Sequence, residues 1–582
     1  MTKIEIESAP LADSQTHAAP FSESRPEPSR SNGDGFLRRL CAGLGLFLLV
    51  LGVYVLTSPG RIDTIDGEAR FDVAYSLVAT GKPIFRDPLI GGIVSVPGRG
   101  GFRYSYYGAP ASVFGAPLVW AGLKHALTIE RAQFLFSLTS SLFGAGIALI
   151  LFLFYLDLGL SLRKALLWSL ASSFTTLVWP LSNSSFDNAQ HAFFALAALY
   201  CAFLSARRDS KALALLGGLC VAVLILYQEY FVLLVPCFAF ATLQWQPAIN
   251  PATTPLAWSY RSIRDRADSA LRHFIRSAQD LLRRGREAPG DARTSCVRFA
   301  LFVAAAGTGL LLTFAYNDYR FGSWLDDGKF HYQNFPLFGN PITGFLTLFV
   351  SPGKSIFLYS PPVVLGIIGF AGLLRRTPTL AKTVAACGVV LTLFLSCILF
   401  AGGDWCWGPR YLLPLLPLFA LAYPFARLKL RREAIFLVIA LGLFIQGMAL
   451  SVENQRYFNE QRLNDYFWAE NPAFYLTHSA LFARFGEIAS LLDGVPATAK
   501  RFASVPLPTY SVLGAPPPRD QAAVWMRNFQ IFFLPRPWPF WMAHFEPSAR
   551  PINTRSWVWG LAGISVLGGS LVILGLRPEE RV

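Results

Sequence analysis

A short run near the start of the chain gathers groups suited to proton chemistry. Arg61-Ile62-Asp63-Thr64-Ile65-Asp66-Gly67-Glu68-Ala69-Arg70-Phe71-Asp72 places four carboxylates within ten positions, directly after a strongly apolar run. A carboxylate held at a membrane edge is partly desolvated, and its pKa can then be tuned for proton abstraction. The same residues would equally make a solvated turn at the end of an anchor helix.

Further groups recur between later apolar runs. Asp187 and His191 lie one helical turn apart after Trp179-Pro180, a spacing that suits a divalent cation (Mg2+, Mn2+ or Zn2+) or an oriented phosphate, and equally a plain helix N-cap. Asp318, Arg320, Asp326, Asp327, Lys329 and His331 crowd one loop, and Gln228-Glu229 separates two apolar runs. Ser351-Pro352-Gly353-Lys354-Ser355 ends like a phosphate loop but lacks the first glycine at the required spacing. Lys354, and Arg410 at the end of Gly402-Gly403-Asp404-Trp405-Cys406-Trp407-Gly408-Pro409-Arg410, could pair with a lipid phosphate or anchor at the interface.

The elements that must position these groups are membrane helices. Of 582 residues, 53% are hydrophobic and only 15% charged, too few charges to cover the surface of a soluble protein this long. Apolar runs near 20 residues recur, the length that crosses a ~30 Å hydrocarbon core. The net charge of +15 is distributed between those runs, as the positive-inside rule requires, and does not indicate nucleic acid. Of the eight cysteines, Cys406 is expected to be loop-exposed and the others to lie in or beside apolar runs, so neither a disulfide nor a metal framework is proposed.

These features predict an all-α polytopic membrane protein of about 12 (11–13) transmembrane helices, with interfacial helices in the first external loop and a small extracytoplasmic cap. Residues 1–36 read as a disordered cytoplasmic tail, and 37–451 as the transmembrane domain. Spans are predicted at 39–57, 132–156, 165–181, 188–205, 212–228, 230–244, 297–316, 356–374, 381–401, 411–426, 434–451 and 556–576. Both termini are then cytoplasmic, provided that 109–126 is re-entrant or interfacial. Within 245–296, nine arginines alternate with an apolar stripe, predicting a basic amphipathic helix on the cytoplasmic leaflet. The first external loop covers 58–131. Residues 452–555 form the cap, whose Trp525, Phe529, Phe532, Phe533, Trp538 and Trp541 are expected in an interfacial aromatic belt or stacked on sugar. Residues 556–582 hold the last span and a short tail.

The acidic first loop followed by an interfacial helix, Asp187 at the start of a later span, and a terminal external cap together resemble the GT-C glycosyltransferases. The branch in question holds the protein O-mannosyltransferases and lipid A aminoarabinose transferases. Tyr104-Ser105-Tyr106-Tyr107-Gly108, Asn317-Asp318-Tyr319-Arg320-Phe321-Gly322, Ser351-Pro352-Gly353-Lys354-Ser355 and Trp407-Gly408-Pro409-Arg410-Tyr411 look like motifs of bacterial members. The resemblance implies transfer of a sugar from a polyprenyl-phosphate donor to a cell-envelope glycan, lipid or protein. The reaction would occur at the outer face of a bacterial inner membrane. It implies a loop-one carboxylate as base. The usual adjacent Asp-Glu pair is split by Gly67, so Asp66 is favoured by an Asp-Gly match and Glu68 by a Glu-x-Arg-aromatic match. Lys354, Arg410, Arg70 and Asp187 would serve the donor phosphate, with Asp187 and His191 at any metal.

Two other classes fit the same chain. A lipid-linked saccharide transporter or flippase would need charges within its spans, whereas here carboxylates collect in external loops. A polysaccharide polymerase or ligase using a lipid-linked oligosaccharide would share the same loops and helices.

Overall fold

The computed structural model describes residues 32–87, 94–124, 129–243, 290–329, 338–403, 406–428, 430–454, 457, 472–492, 538–544 and 552–576. The described chain is almost wholly helical. Its first part runs α1 (Asn32–Thr57), α2 (Ile65–Thr80), the two-stranded ribbon of β1 (Ser95–Pro97) and β2 (Arg103–Ser105), α3 (Pro110–Lys124), α4 (Ile129–Ser137), α5 (Thr139–Asp157), α6 (Leu162–Phe174), α7 (Val178–Ser182), α8 (Asn188–Arg207), α9 (Lys211–Tyr227) and α10 (Val235–Phe240). It continues with α11 (Gly290–Phe321), α12 (Pro341–Phe349), α13 (Ile356–Tyr359), α14 (Val363–Arg376), α15 (Pro378–Cys397), α16 (Leu416–Ala420), α17 (Arg432–Ser451), α18 (Ala480–Leu492), α19 (Trp541–His544) and α20 (Thr554–Leu576).

Seven stretches among the described residues are long and apolar enough to cross a bilayer: Phe36–Thr57, Arg131–Asp157, Asn188–Arg207, Ala292–Phe321, Pro378–Cys397, Arg432–Ser451 and Thr554–Leu576. Each falls on a predicted span. The other five predicted spans are shorter or broken, mostly at proline. The 165–181 segment splits into α6 and α7 around Thr175–Leu177, with Pro180 inside α7. At 230–244, a 3-10 turn over Glu229–Leu234 leads into α10, which has Pro236 in its first turn. Pro361 and Pro362 part α13 from α14, and Pro414 and Pro417 break 411–426 into a 3-10 turn and α16. Proline lacks the N–H of the helix ladder and clashes with the preceding turn, so such runs kink or stop. The fifth, α9, is unbroken but has only 17 residues.

Within 109–126, expected to be re-entrant or interfacial, residues Pro110–Lys124 form α3. Its 15 residues reach about 22 Å at 1.5 Å each, short of a full crossing. It packs against α2 and α4, within the first loop. The first and last long helices pair along their lengths, and Gly45 and Gly568 allow the backbones to touch.

Residues 245–289 of the predicted basic stretch 245–296 and cap residues Trp525, Phe529, Phe532 and Phe533 lie outside the described residues, and residues 290–296 begin α11. Trp541 does not join an aromatic belt. It is completely buried against Phe134, and its indole N–H donates to the Val55 carbonyl at 2.7 Å. Trp538 is about half exposed. Cys406 corrects the sequence reading in the same way, being 2% exposed. It is enclosed because Lys354 draws its loop inward.

Candidate functional site

The acidic run folds as the start of α2. Thr64 caps the helix by accepting the Gly67 N–H at 2.9 Å, and Gly81 closes it in a left-handed conformation. Asp66 and Glu68 then fall in the first turn, where the helix dipole favours negative charge. Gly67 stands between them because the helix lies directly on Ser185. A Cβ there would meet the Ser185 side chain at 2.6 Å.

The turn Ser184–Asp187, at the head of α8, gathers the loop. Asp63 accepts from Ser184 Oγ at 2.8 Å, from the Ser185 N–H at 2.7 Å and from Ser185 Oγ. Phe186 lies under the Arg410 guanidinium at 3.8 Å. Asp187 takes a 2.9 Å ion pair from Arg70 Nη2. Four consecutive residues thus tie α2 and residue 410 to the start of α8.

Helical phase sorts the two candidate bases. Asp66 and Arg70 are four residues apart and share a face, whereas Glu68 sits about 200° round the helix from Asp66. Asp66 Oδ1 accepts the Tyr107 hydroxyl at 2.6 Å, and its Oδ2 is 3.3 Å from Arg410 Nη1. Its side chain retains 23% exposure, against 4% for Arg70, 9% for Asp187 and 11% for Arg410. Glu68 instead meets Gln133 Nε2 of α4 at 3.4 Å. The structure therefore brings Asp66, Arg70, Asp187, His191 and Arg410 together and directs Glu68 elsewhere.

Tyr107 was absent from the sequence-derived site and belongs in it. Besides its bond to Asp66, its ring lies beneath the Arg70 guanidinium at 4.5 Å. Arg320 of α11 fixes the backbone there, donating to the carbonyls of Ser105 at 2.5 Å and Tyr107 at 3.3 Å. Gly108 then passes so close to the Leu226 carbonyl that a Cβ would lie 2.0 Å from it. The Tyr-rich run ending in this glycine was the available signal in the sequence.

Electrostatics keep the Asp187–Arg70 pair ionised. Burial opposes charge on Asp187, but Arg70 and then His191 outweigh it and hold the carboxyl well below its ordinary range. Burial would likewise lower Arg70, yet Asp187 and Asp66 raise it. Burial, with the Asp66 charge adding to it, pushes the Tyr107 phenol up, so Tyr107 stays a donor. Arg70 Nε and Nη1 and Arg410 Nε are buried and make no hydrogen bond among the described residues. Unused guanidinium nitrogens beside a half-open carboxylate suit an anionic ligand, because buried donors left unpaired are costly.

Lys354 takes a different place from the one expected. Its ammonium donates to the carbonyls of Gly403 at 2.7 Å, Cys406 at 2.8 Å and Gly408 at 3.2 Å. It thereby moulds the loop that ends at Arg410.

A resident divalent metal does not fit Asp187 and His191. Their separation is 3.4 Å, but the Asp187 oxygen facing the imidazole is already paired with Arg70. A cation would have to compete with that guanidinium, and no cluster of three or more His, Cys, Asp or Glu occurs among the described residues. His191 packs edge-on against Tyr227 and Phe231 and reads as a wall of the site.

An apolar groove of about 530 Å³ is lined by Phe47, Phe114, Leu118, Phe143, Ile150 and Phe193 among others. Ser112, two positions before Phe114 and about 200° round α3 from it, donates to the Arg70 carbonyl at 2.8 Å, so α3 carries the groove on one side and meets α2 on the other.

No family profile and no curated protein matches the chain. Solved structures do show similarity. ArnT from Cupriavidus metallidurans bound to undecaprenyl phosphate aligns with 83% of this chain and 82% of its own, at 11% identity and a TM-score of 0.41. The Archaeoglobus fulgidus oligosaccharyltransferase AglB, in complex with an inhibitory peptide and a dolichol-phosphate, aligns with 76% of this chain and 60% of its own, at 13% identity and a TM-score of 0.38. A structure of the same oligosaccharyltransferase with Zn and sulfate aligns at 13% identity and a TM-score of 0.38, over 76% of this chain and 58% of its own.

Proposed function

We propose that this protein is a membrane glycosyltransferase that moves a sugar from a polyprenyl-phosphate donor to a hydroxyl of a cell-envelope glycan, lipid or protein. The observation that carries the reading is the grouping of one half-open carboxylate, Asp66, with two arginines that keep buried, unused donors. The GT-C-like motifs in the sequence support it independently.

In this reading the two arginines hold the donor phosphate, Arg70 through Nε and Nη1 and Arg410 through Nε. The isoprenoid chain lies in the apolar groove beside α3. Asp66 takes the proton of the acceptor hydroxyl through Oδ2, the oxygen with the looser 3.3 Å contact, while Tyr107 holds Oδ1. The acceptor oxygen bonds to the anomeric carbon as the carbon–oxygen bond to phosphate breaks. The electron pair remains on polyprenyl phosphate, whose growing charge the two guanidiniums stabilise. Asp187 keeps Arg70 charged and aimed. The reaction face is extracytoplasmic, where a lipid-borne sugar replaces a nucleotide sugar.

Purified protein incubated with radiolabelled polyprenyl-phosphate sugars and native membrane extract should release free polyprenyl phosphate and label an acceptor. Movement of intact lipid-linked sugar across proteoliposomes without cleavage would replace this reading with a transporter.

A further inference from the structure

Helix α18, in the predicted cap, is apolar on two opposite sides. Ala480, Leu481, Arg484 and Leu491 are buried against the protein. Phe482, Phe485 and Leu492 are 46%, 52% and 63% exposed, at the spacing of one helical face. The two charges of the helix do not reach that outer side. Arg484 and Glu487 pair with each other at 3.0 Å, both nearly enclosed. A helix washed by water carries polar residues on its outer side; this one carries phenylalanine and leucine.

The position of α18 says what covers that side. Phe485 packs against Phe444 of α17, with ring centroids 6.3 Å apart. Phe444 belongs to a row with Phe436, Leu437 and Leu441 that α17 leaves exposed. On a helix long and apolar enough to span, such a row is the surface turned to lipid. Phe444 stands seven residues before Ser451, so it lies about 10 Å from the end of α17 at 1.5 Å per residue. α18 is therefore level with the last turns of a membrane helix, and its exposed phenylalanines continue that helix's lipid-facing surface. At 13 residues, or about 20 Å, α18 is too short to cross a bilayer itself.

We propose that α18 is an interfacial helix seated in the leaflet at the Ser451 end of α17, with Phe482, Phe485 and Leu492 among the acyl chains. Helices of this kind sink their apolar side about 5–10 Å into the boundary between headgroups and acyl chains. The inner side of α18 gives the seat a consequence. Arg484 donates to the Val452 carbonyl and to Asn454 Oδ1 at 2.8 Å, and its guanidinium lies over Trp407 at 5.1 Å. Leu481 N–H donates to the Tyr359 hydroxyl at 3.2 Å, and Ser479 Oγ to the Pro352 carbonyl at 2.7 Å. Trp407, edge-on to Tyr359, stands three residues before Arg410, and Pro352 two before Lys354. The bilayer thus backs the two loops that set Arg410. That consequence rests on the sugar-transfer reading, whereas the seat rests on membrane embedding alone.

The test uses wild-type protein in phosphatidylethanolamine–phosphatidylglycerol vesicles doped with a phospholipid carrying a diazirine on its acyl chain. After photolysis, the labelled residues are mapped by mass spectrometry. Lipid adducts are expected on Phe482, Phe485 and Leu492, at a yield within about threefold of that on Leu437 and Leu441. Labelled α17 beside unlabelled 480–492 would overturn the seat. Benzoylphenylalanine in place of Phe485 supplies a second measurement from the protein side. Crosslinks to phospholipid are the expected result; crosslinks to residues 493–537 or to a second copy of the chain would overturn the proposal. Neither readout needs a sugar donor, so failure of the seat and failure of the transferase reading are told apart.

Discussion

Asp66 Oδ2 and Arg410 Nη1, 344 positions apart in the chain, stand 3.3 Å from each other. The contact joins the start of α2 to the loop before α16, and it is long for a charge-assisted bond, normally 2.7–2.9 Å. A pair this loose can open to admit a ligand between its members. Arg70, one turn along α2, is meanwhile locked to Asp187 at 2.9 Å. One arginine is fixed and the other adjustable.

Tyr107→Phe removes the hydroxyl that holds Asp66 Oδ1 but keeps the ring beneath Arg70. A hydrogen bond to a charged group contributes about 1.5–3 kcal/mol. The expected result is a ten- to hundredfold fall in kcat for sugar transfer with little change in Tm, measured by polyprenyl phosphate release. Unaltered kcat would remove Tyr107 from the site.

Asp187→Asn leaves the buried Arg70 without its counter-charge, and breaking a buried pair costs about 3–5 kcal/mol. Tm in detergent at pH 7 should fall sharply. Because Asp187 is held below its ordinary carboxyl value of 3.8, its stabilising effect is fully present above that value and is lost as pH falls towards the folded-state pKa. The gap in Tm between wild type and variant should therefore narrow only below about pH 4. A gap that is constant with pH would contradict the pairing.

Lys354→Met should act on folding more than on donor affinity. It strips three backbone carbonyls of their donor, each unpaired buried group costing about 1–3 kcal/mol. A lowered Tm with Arg410 displaced, seen as a kcat loss that saturating donor does not rescue, is expected. A pure rise in KM for the donor at unchanged Tm would mean that the ammonium contacts the phosphate directly.

The long helices were legible because an uninterrupted apolar run of 20 residues has few other fates. Four of the five shorter ones were read as full spans since hydropathy ignores Pro180, Pro236, Pro361, Pro362, Pro414 and Pro417, which carry no charge yet break the ladder; the fifth, α9, simply stops at 17 residues. Around the site, residue types and order pointed to Asp66, Glu68, Arg70, Asp187, His191, Lys354 and Arg410, and the sequence left Asp66 and Glu68 both open as the base; only the folded α2 puts Glu68 on a different face from Asp66 and Arg70. The contacts of Tyr107 and Arg320 were not readable, because they cross 41 and 215 positions and depend on how α2, the ribbon and α11 stack. Lys354 was ambiguous for a related reason: a lysine after glycine looks the same whether it faces phosphate or carbonyl oxygens.

The most direct measurement compares polyprenyl phosphate release by wild type, Asp66→Asn and Glu68→Gln, each shown to be folded by its Tm. The account predicts that Asp66→Asn loses at least a hundredfold in kcat, the general range for a general base, while Glu68→Gln stays within about threefold of wild type. Loss of release in Glu68→Gln together with full activity in Asp66→Asn would contradict it and move the base to the opposite face of α2.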